Sequence, residues 1–430
     1  MLGRVAMTID SGWTKIVKEN APHAFTPVLE LKPHVVFIDG QINLMKADYI
    51  QTWSMFFEYQ FMRKVDRAFS YGARLVVLAF DNYKHVPTAK AMTQQKRSRH
   101  VPAMKFSDDD HLPPVLPENW AGAMRNRTFK TKVAAFIAQN FRIKFQDEKV
   151  RTLIIDFKDE VEVLGAPYDL PPLLKNPTKA KRGECDIKAF AYLSTQGPLL
   201  IESTDGDFIP LALLQMQKME AETGQMPQVV LHRMYTVTDK DKTLNKRDAN
   251  GKYIRRYEYV NIEHVLDWVY KEMTFLPNPV YAFAALIATT GCDFCMNLPL
   301  LGPKTLWKAR HELTELDLKK PHDLMLGILR IYYIIHKRKV PIMDIQPSPQ
   351  QDLLDIVWQY EQLSRNIYDN PCVGKRTREI IWTPPRMHAH IGNTLWTLQY
   401  WDNTHEFLDP LIEGFGFRLE RDRVTFDGVD

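Results

Sequence analysis

The chain has 430 residues, 45% of them hydrophobic, with 56 basic against 52 acidic side chains and a formal net charge of +4. That composition builds a folded core of two or three domains, or of one large domain with insertions, and excludes a disordered or fibrous chain; so even a charge balance does not by itself mark a nucleic-acid binder. Four cysteines are too few for a disulfide scaffold, no apolar run can span a bilayer, and MLGRVAMTID carries no charged-then-apolar signal pattern, which together lead us to expect a soluble, intracellular protein.

Residues 11–20 predict a short helix with Trp13, Ile16 and Val17 inward. His34–Ile38 reads as a buried strand ending in Asp39-Gly40, and an acid at the carboxyl end of a buried strand is where open α/β sheets place their sites. Residues 44–71 predict one long amphipathic helix whose aromatics (Trp53, Phe56, Phe57, Tyr59, Phe61) form core. A second strand, Arg74–Phe80, again delivers an acid, Asp81, and two strand–Asp units joined by a helix imply parallel neighbours.

From Lys84 to Lys132 the character changes. Lys84, Lys90, Lys96, Arg97, Arg99 and Lys105 precede an acidic, Pro-rich break, read as a flexible connector, and Arg125, Arg127, Lys130 and Lys132 follow it. Two basic helices inserted between sheet elements are either a solvated surface insertion or a clamp whose Lys and Arg displace counterions from phosphates.

Val150–Phe157 is a third strand, and Pro198–Ser203 a short buried one bounded by turn formers. Around that strand stand Glu184 and Asp186, ahead of a helical run, and Asp205 and Asp207 in Ser-Thr-Asp-Gly-Asp, where Gly206 suits a tight backbone. Four carboxylates at strand ends repel one another unless cations sit among them, which points to a divalent-metal site. Leu211–Lys218 is helical, and Val229–Thr236 with Tyr253–Val260 predicts a hairpin. Residues 261–290 predict two helices ending at Thr290-Gly-Cys-Asp293, a further acid on a small-residue turn. Cys292-x-x-Cys295 is half of a zinc site at most, since no second CxxC and no His pair at zinc-finger spacing exists. Gly302-Pro303-Lys304-Thr305 opens another helix, as a plain helix start or as a phosphate hold built from N–H groups. Beyond residue 310, helical stretches alternate with Pro-rich connectors without an assignable motif.

Taken in order, VVFIDG (35–40), VLAFDN (77–82), KAMTQQKRS (90–98), GECDIKAF (183–190), ESTDGDF (202–208) and TTGCDFCMNLPLLGPKTLWKAR (289–310) resemble the flap endonuclease and XPG-type 5′ nucleases over about the first seven-tenths of the chain. The resemblance implies an α/β, PIN-like 5′ nuclease fold, a central mostly parallel sheet flanked by helices, with a helical cap and a helix-two-turn-helix region. It divides the chain into a core over 1–83 and 134–310, a basic cap over 84–133, a hairpin insertion at 229–260, the helix-two-turn-helix at 284–310 and an unassigned helical region at 311–430. The seven carboxylates that hold two Mg²⁺ or Mn²⁺ ions in the family fall on Asp39, Asp81, Glu184, Asp186, Asp205, Asp207 and Asp293. Hard cations suit such all-oxygen sites, and two of them support an in-line displacement at phosphorus. The family's scissile-phosphate Lys and Arg fall on Lys90 and Arg97, and Lys84, Lys96, Arg99, Arg125, Arg127, Lys130, Gly302, Lys304 and Thr305 are expected DNA contacts.

The implied activity is a structure-selective 5′ nuclease on DNA flaps, nicks or ends in replication, repair or recombination. Its implied partners are junction DNA and a polymerase or sliding clamp, in a nucleus or a viral replication site, without a membrane. Alternatives are a 5′ exoribonuclease or RNA-primer-removing nuclease, and a junction-binding scaffold without catalysis. Departures point to a divergent member, viral ones included. The start differs from Met-Gly-Ile, the base-stacking aromatic is Met45, Leu300-Leu301-Gly302-Pro303 replaces the Gly-x-Gly-Pro that holds a K⁺ ion, and Gln351-x-x-Leu354-x-x-Val357-Trp358 matches a clamp-binding peptide only loosely.

Overall fold

The structure is a computed structural model that describes residues 11–45, 47, 50–82, 104–158, 160–175, 183–236, 255–292 and 302–320, isolated positions from 323 to 402, and 417–420 with 423–426. Eight strands form one sheet: β1 (Phe25–Thr26), β2 (Val35–Asp39), β3 (Leu75–Ala79), β4 (Thr152–Phe157), β5 (Glu160–Gly165), β6 (Leu199–Glu202), β7 (Val229–Thr236) and β8 (Arg255–Asn261). Their order is β1-β8-β7-β6-β2-β3-β4-β5. The five central strands run parallel, while β5, β8 and β1 pair antiparallel. This is the α/β class expected, with a mixed rather than purely parallel sheet.

Side chains alternate across a strand, so continuous apolar runs such as LVVLA bury both faces. Phe37, Val77, Ile201 and Leu231 point to one face, under the helices Ser11–Asn20, Cys185–Phe190, Phe208–Thr223, Ile262–Glu272 and Pro279–Thr289. Val36, Ile38, Leu78 and Ile155 point to the other, under the helical segments between Trp53 and Ser70 and the helix Arg127–Phe145. The result is three layers. No helix among the described residues is long and apolar enough to cross a membrane.

The helix expected over 44–71 is broken. A helix at Gly40–Leu44 ends early, and a new one starts at Trp53, where the Thr52 hydroxyl accepts from the Met55 amide. It passes through a π-turn at Glu58–Met62 before resuming as Arg63–Ser70. Phe56, Phe57 and Phe61 are core as expected, but Tyr59 is exposed.

The Pro-rich break before the second basic helix is packed, not a loose connector. Trp53 Nε1 donates to the Pro113 carbonyl (2.7 Å), Trp120 Nε1 to that of Leu44 (2.9 Å), and Asn126 Nδ2 to those of Met104 and Phe106. Lys132 turns back onto the carbonyls of Asp108 and Asp110, so it holds the acidic loop. The second basic helix runs on to Phe145 and buries Phe129, Val133, Ile137 and Phe141 against the sheet, so the boundary drawn at 133 falls inside a core helix. Past residue 310 the described positions include Leu398 and Trp401, buried in the first core, and a hairpin of β9 (Phe417–Glu420) and β10 (Arg423–Phe426) where only helix was expected.

Candidate functional site

Strands β3 and β4 lie to one side of β2, and β6 and β7 to the other, so the chain switches direction between β2 and β6. A crevice at the carboxyl ends of such strands is the default place for a site. Asp39 closes β2 and caps the next helix, its Oδ1 accepting from the Ile42 amide (3.1 Å). Its Oδ2 accepts from the Ser203 hydroxyl (2.9 Å), which stands directly after β6. The same hydroxyl accepts from the Asp205 amide (3.1 Å), and Asp205 Oδ1 accepts from the Asp207 amide (3.1 Å). One serine thus ties the ends of β2 and β6 together across the switch point. Gly206 is not among the glycines with positive φ, so side-chain hydrogen bonds, not a left-handed glycine, shape this turn.

Gly40 is required by space: a Cβ there would stand 2.5 Å from the Ala79 carbonyl oxygen and 2.7 Å from the Phe80 ring. That close approach brings the end of β2 against the end of β3. Two residues past β3, Asp81 Oδ1 accepts from the Cys185 amide (3.1 Å), and the Asn82 amide donates to the Gly183 carbonyl. These bonds stitch the β3 end to the segment bearing Glu184, which precedes the helix Cys185–Phe190, and Asp186 in its first turn. Asp39, Glu184, Asp186 and Asp207 are buried, and Asp81 and Asp205 are half-buried.

The electrostatics report the same gathering. Burial, then the charge of Asp81, push the Asp39 carboxyl up to about 6; Asp205 adds to the rise, against the lowering effect of the Ile42 and Ser203 hydrogen bonds. Burial, with the charges of Asp39 and Asp81, also raises the Cys185 thiol well above its ordinary value, so it stays protonated and donates to the Ala79 carbonyl (3.3 Å). Lys130, in the first turn of Arg127–Phe145, is drawn down to about 8 by burial and by Arg127 while Asp81 pulls it the other way. This expected DNA contact therefore stands within the field of the acids.

Six of the seven predicted carboxylates are described, and the charges of Asp81 and Asp205 both bear on Asp39. Asp293 lies outside the described residues, as do Lys84, Lys90, Lys96, Arg97, Arg99 and Cys295. Among the described residues no three His, Cys, Asp or Glu side chains are already arranged to hold an ion. The donor chemistry nonetheless fits hard divalent cations: the donors are carboxylate oxygens, the one thiol is kept neutral, and a cation would offset the mutual repulsion that raises Asp39. Cys292 is buried beside the Thr397 hydroxyl (3.7 Å). Arg125 is half-buried, and Arg127 and Lys304 are exposed. Gly302 precedes the helix Pro303–Ala309, which Trp307 docks among Trp13, Trp268 and Phe283, and Thr305 continues its first turn. Met45 is 52% exposed beyond the helix that follows Asp39.

Sequence patterns missed Ser203 and a buried Lys188–Asp156 pair. The available signal was a lysine inside the apolar stretch Ile187–Leu193, where a charge needs a partner.

No family model matches the chain, and no curated protein matches it. Solved structures it is similar to include the catalytic core of Rad2 in complex with DNA substrate. One such complex (IV) overlaps 95% of this chain and 97% of its own at 13% identity and a TM-score of 0.37. Another (complex III) overlaps 93% and 97% at 13% identity and a TM-score of 0.34. Overlap this loose assigns neither a family nor an activity to the chain.

Proposed function

We propose that this protein is a metal-dependent 5′ nuclease that hydrolyses phosphodiester bonds near single-strand/duplex junctions of DNA. The observation that carries it is the convergence of carboxylates from the ends of β2, β3 and β6, close enough that Asp81 and Asp205 raise Asp39. Asp39, Asp81, Glu184, Asp186, Asp205 and Asp207 would hold two Mg²⁺ or Mn²⁺ ions, with Asp293 as the seventh acid. Bound divalent cations supply Lewis acidity and an activated water for in-line displacement at phosphorus. Ser203 orients Asp39 and Asp205 toward the same crevice, and Lys130 brings a positive charge to its wall to receive a phosphate. Lys90 and Arg97 are proposed as further phosphate contacts and Lys304 as a contact to the uncut duplex. Work on DNA in turn implies a DNA-containing compartment.

Cleavage of a 5′-labelled double-flap DNA in Mg²⁺, beside the Asp207→Ala protein, tests this. A discrete product cut near the junction and absent in the variant is expected. Release of the label as a mononucleotide would make the enzyme a 5′ exonuclease, and better cutting of a matched RNA flap would move the substrate to RNA. Cleavage retained by Asp207→Ala would sink the metal assignment.

A further inference from the structure

Lys188 and Asp156 are both 0% exposed and pair at 2.9 Å between Nζ and Oδ1. Lys188 Nζ also donates to the Phe80 carbonyl (2.7 Å) and to that of Asp156 (3.3 Å), and the Tyr192 hydroxyl donates to Asp156 Oδ2 (3.1 Å). The Phe80 amide donates to the Asp156 carbonyl (3.0 Å), and the Lys188 amide to that of Glu184 (3.0 Å). Phe80, the residue immediately before Asp81, is therefore gripped at both backbone polar groups. The gripping lysine sits on the helix that carries Asp186 and directly follows Glu184.

A buried ion pair is a poor way to gain stability, because desolvating two charges offsets most of their attraction. Apolar side chains would fill the same space at no loss. What they could not do is reach a strand-end carbonyl across the layer between sheet and helix. We infer that Lys188 and Asp156 are positioning residues that fix Asp81 in register with Glu184 and Asp186. This rests on assigning those acids to a metal centre. In that role the pair acts as the outer support that ligating carboxylates need. Tyr192 anchors the far side of Asp156 from the turn just after the same helix, so the device closes on itself.

The test uses the full chain with Lys188→Met and Asp156→Asn together. Removing one partner alone would strand a buried charge, whereas the double change leaves Tyr192 an acceptor. Amide exchange in the metal-free protein is followed on fragments containing Asn82 and Cys185, whose backbone bonds cross the junction, and on β7 as a reference. Exchange at the two junction fragments is expected to rise at least about tenfold while β7 keeps its protection. Calorimetric Mn²⁺ binding is expected to weaken by about tenfold to a hundredfold. A role in packing alone would lower the unfolding midpoint and loosen the sheet evenly. Wild-type protection at both junction fragments overturns the inference. A wild-type protein that binds no Mn²⁺ sinks the metal centre instead, and the exchange comparison still decides the positioning role. If the double variant does not fold, Tyr192→Phe removes only the far anchor of Asp156, leaves the ion pair intact and gives the same exchange comparison at smaller amplitude.

Discussion

Ser203 spends one hydroxyl on two acids that come from different strands, donating to Asp39 and accepting from the Asp205 amide. Ser203→Ala removes both bonds and adds no bulk, so it should weaken Mn²⁺ binding by about tenfold, the usual loss when a ligand's support is removed; unchanged binding by calorimetry would make the serine a bystander. Lys130 asks a different question, since it opposes the acids without being one of them. Lys130→Met should cut the single-turnover cleavage rate by about a hundredfold to a thousandfold, as loss of one pre-placed donor does, while Mn²⁺ binding holds. Equal cleavage by the two proteins would return Lys130 to a solvated surface role. Asp39, Asp81, Asp205 and Asp207 were legible in the sequence because each follows an apolar run that had to be a strand, and Glu184 and Asp186 because the two acids stand directly ahead of a helical run. Ser203 and the placement of Lys130 were not, because each depends on which residue a neighbouring element brings across from elsewhere in the chain.

At the scale of elements, β6 reaches the crevice only because its last residue, Glu202, is satisfied on the way. Arg67 Nη2 donates to Glu202 Oε2 (2.7 Å), His232 Nδ1 lies 3.3 Å from Oε1, and His232 stacks on Tyr259 at 4.5 Å. Burial alone would raise the Glu202 carboxyl, but the His232 hydrogen bond and the Arg67 guanidinium overcome it and hold it below the ordinary carboxylate range. A depressed native value contributes stability that is present above the unfolded carboxylate pKa and is lost as pH falls through the native one. Urea midpoints should therefore fall on the acid side of the ordinary carboxylate range, and Glu202→Gln should flatten that fall. Arg67→Met should cost about 1–2 kcal/mol at neutral pH, a buried-pair loss discounted because the Arg67 side chain is 38% exposed. An acid limb as steep in Glu202→Gln as in the wild type would remove Glu202 from the account. The elements themselves were mostly readable: β2, β3, β4, β6 and the β7–β8 hairpin fall where apolar runs placed them. Strand β5 was missed, because Glu160–Gly165 alternates acids with valines on an edge that needs only one buried face. The helix over 44–71 was drawn too long, because aromatic periodicity does not register a Thr52 cap in mid-run.

Over the whole molecule, the sheet separates two cores, and the crevice lies where elements from both faces end. The face under Arg127–Phe145 contributes Lys130, and the opposite face contributes Glu184 and Asp186. This convergence could not be read from the chain, since the insertion boundary at 133 assigned the lysine-bearing helix to a separate cap. The second face depends on an N-terminal element outside the sheet. Trp13, fully buried on the helix Ser11–Asn20, meets Phe283 (5.5 Å) and Trp307 (6.5 Å) edge-on and donates from Nε1 to the Thr290 hydroxyl (2.7 Å). Thr290 Oγ1 donates in turn to the Ile287 carbonyl, and Gly291, at φ +105°, turns the chain out of the helix Pro279–Thr289. A tryptophan at the first turn of a short helix thus holds the far end of a helix about 280 residues later in sequence. Trp13→Ala removes the ring from two edge contacts and leaves a cavity, which should cost about 3–5 kcal/mol in urea unfolding. If Ser11–Asn20 were an appendage, the loss would stay below about 1 kcal/mol, within the range of surface substitutions. A loss of the larger size in a single cooperative transition would mean that this helix and the helices ending at Thr289 and Ala309 unfold as one body with the sheet.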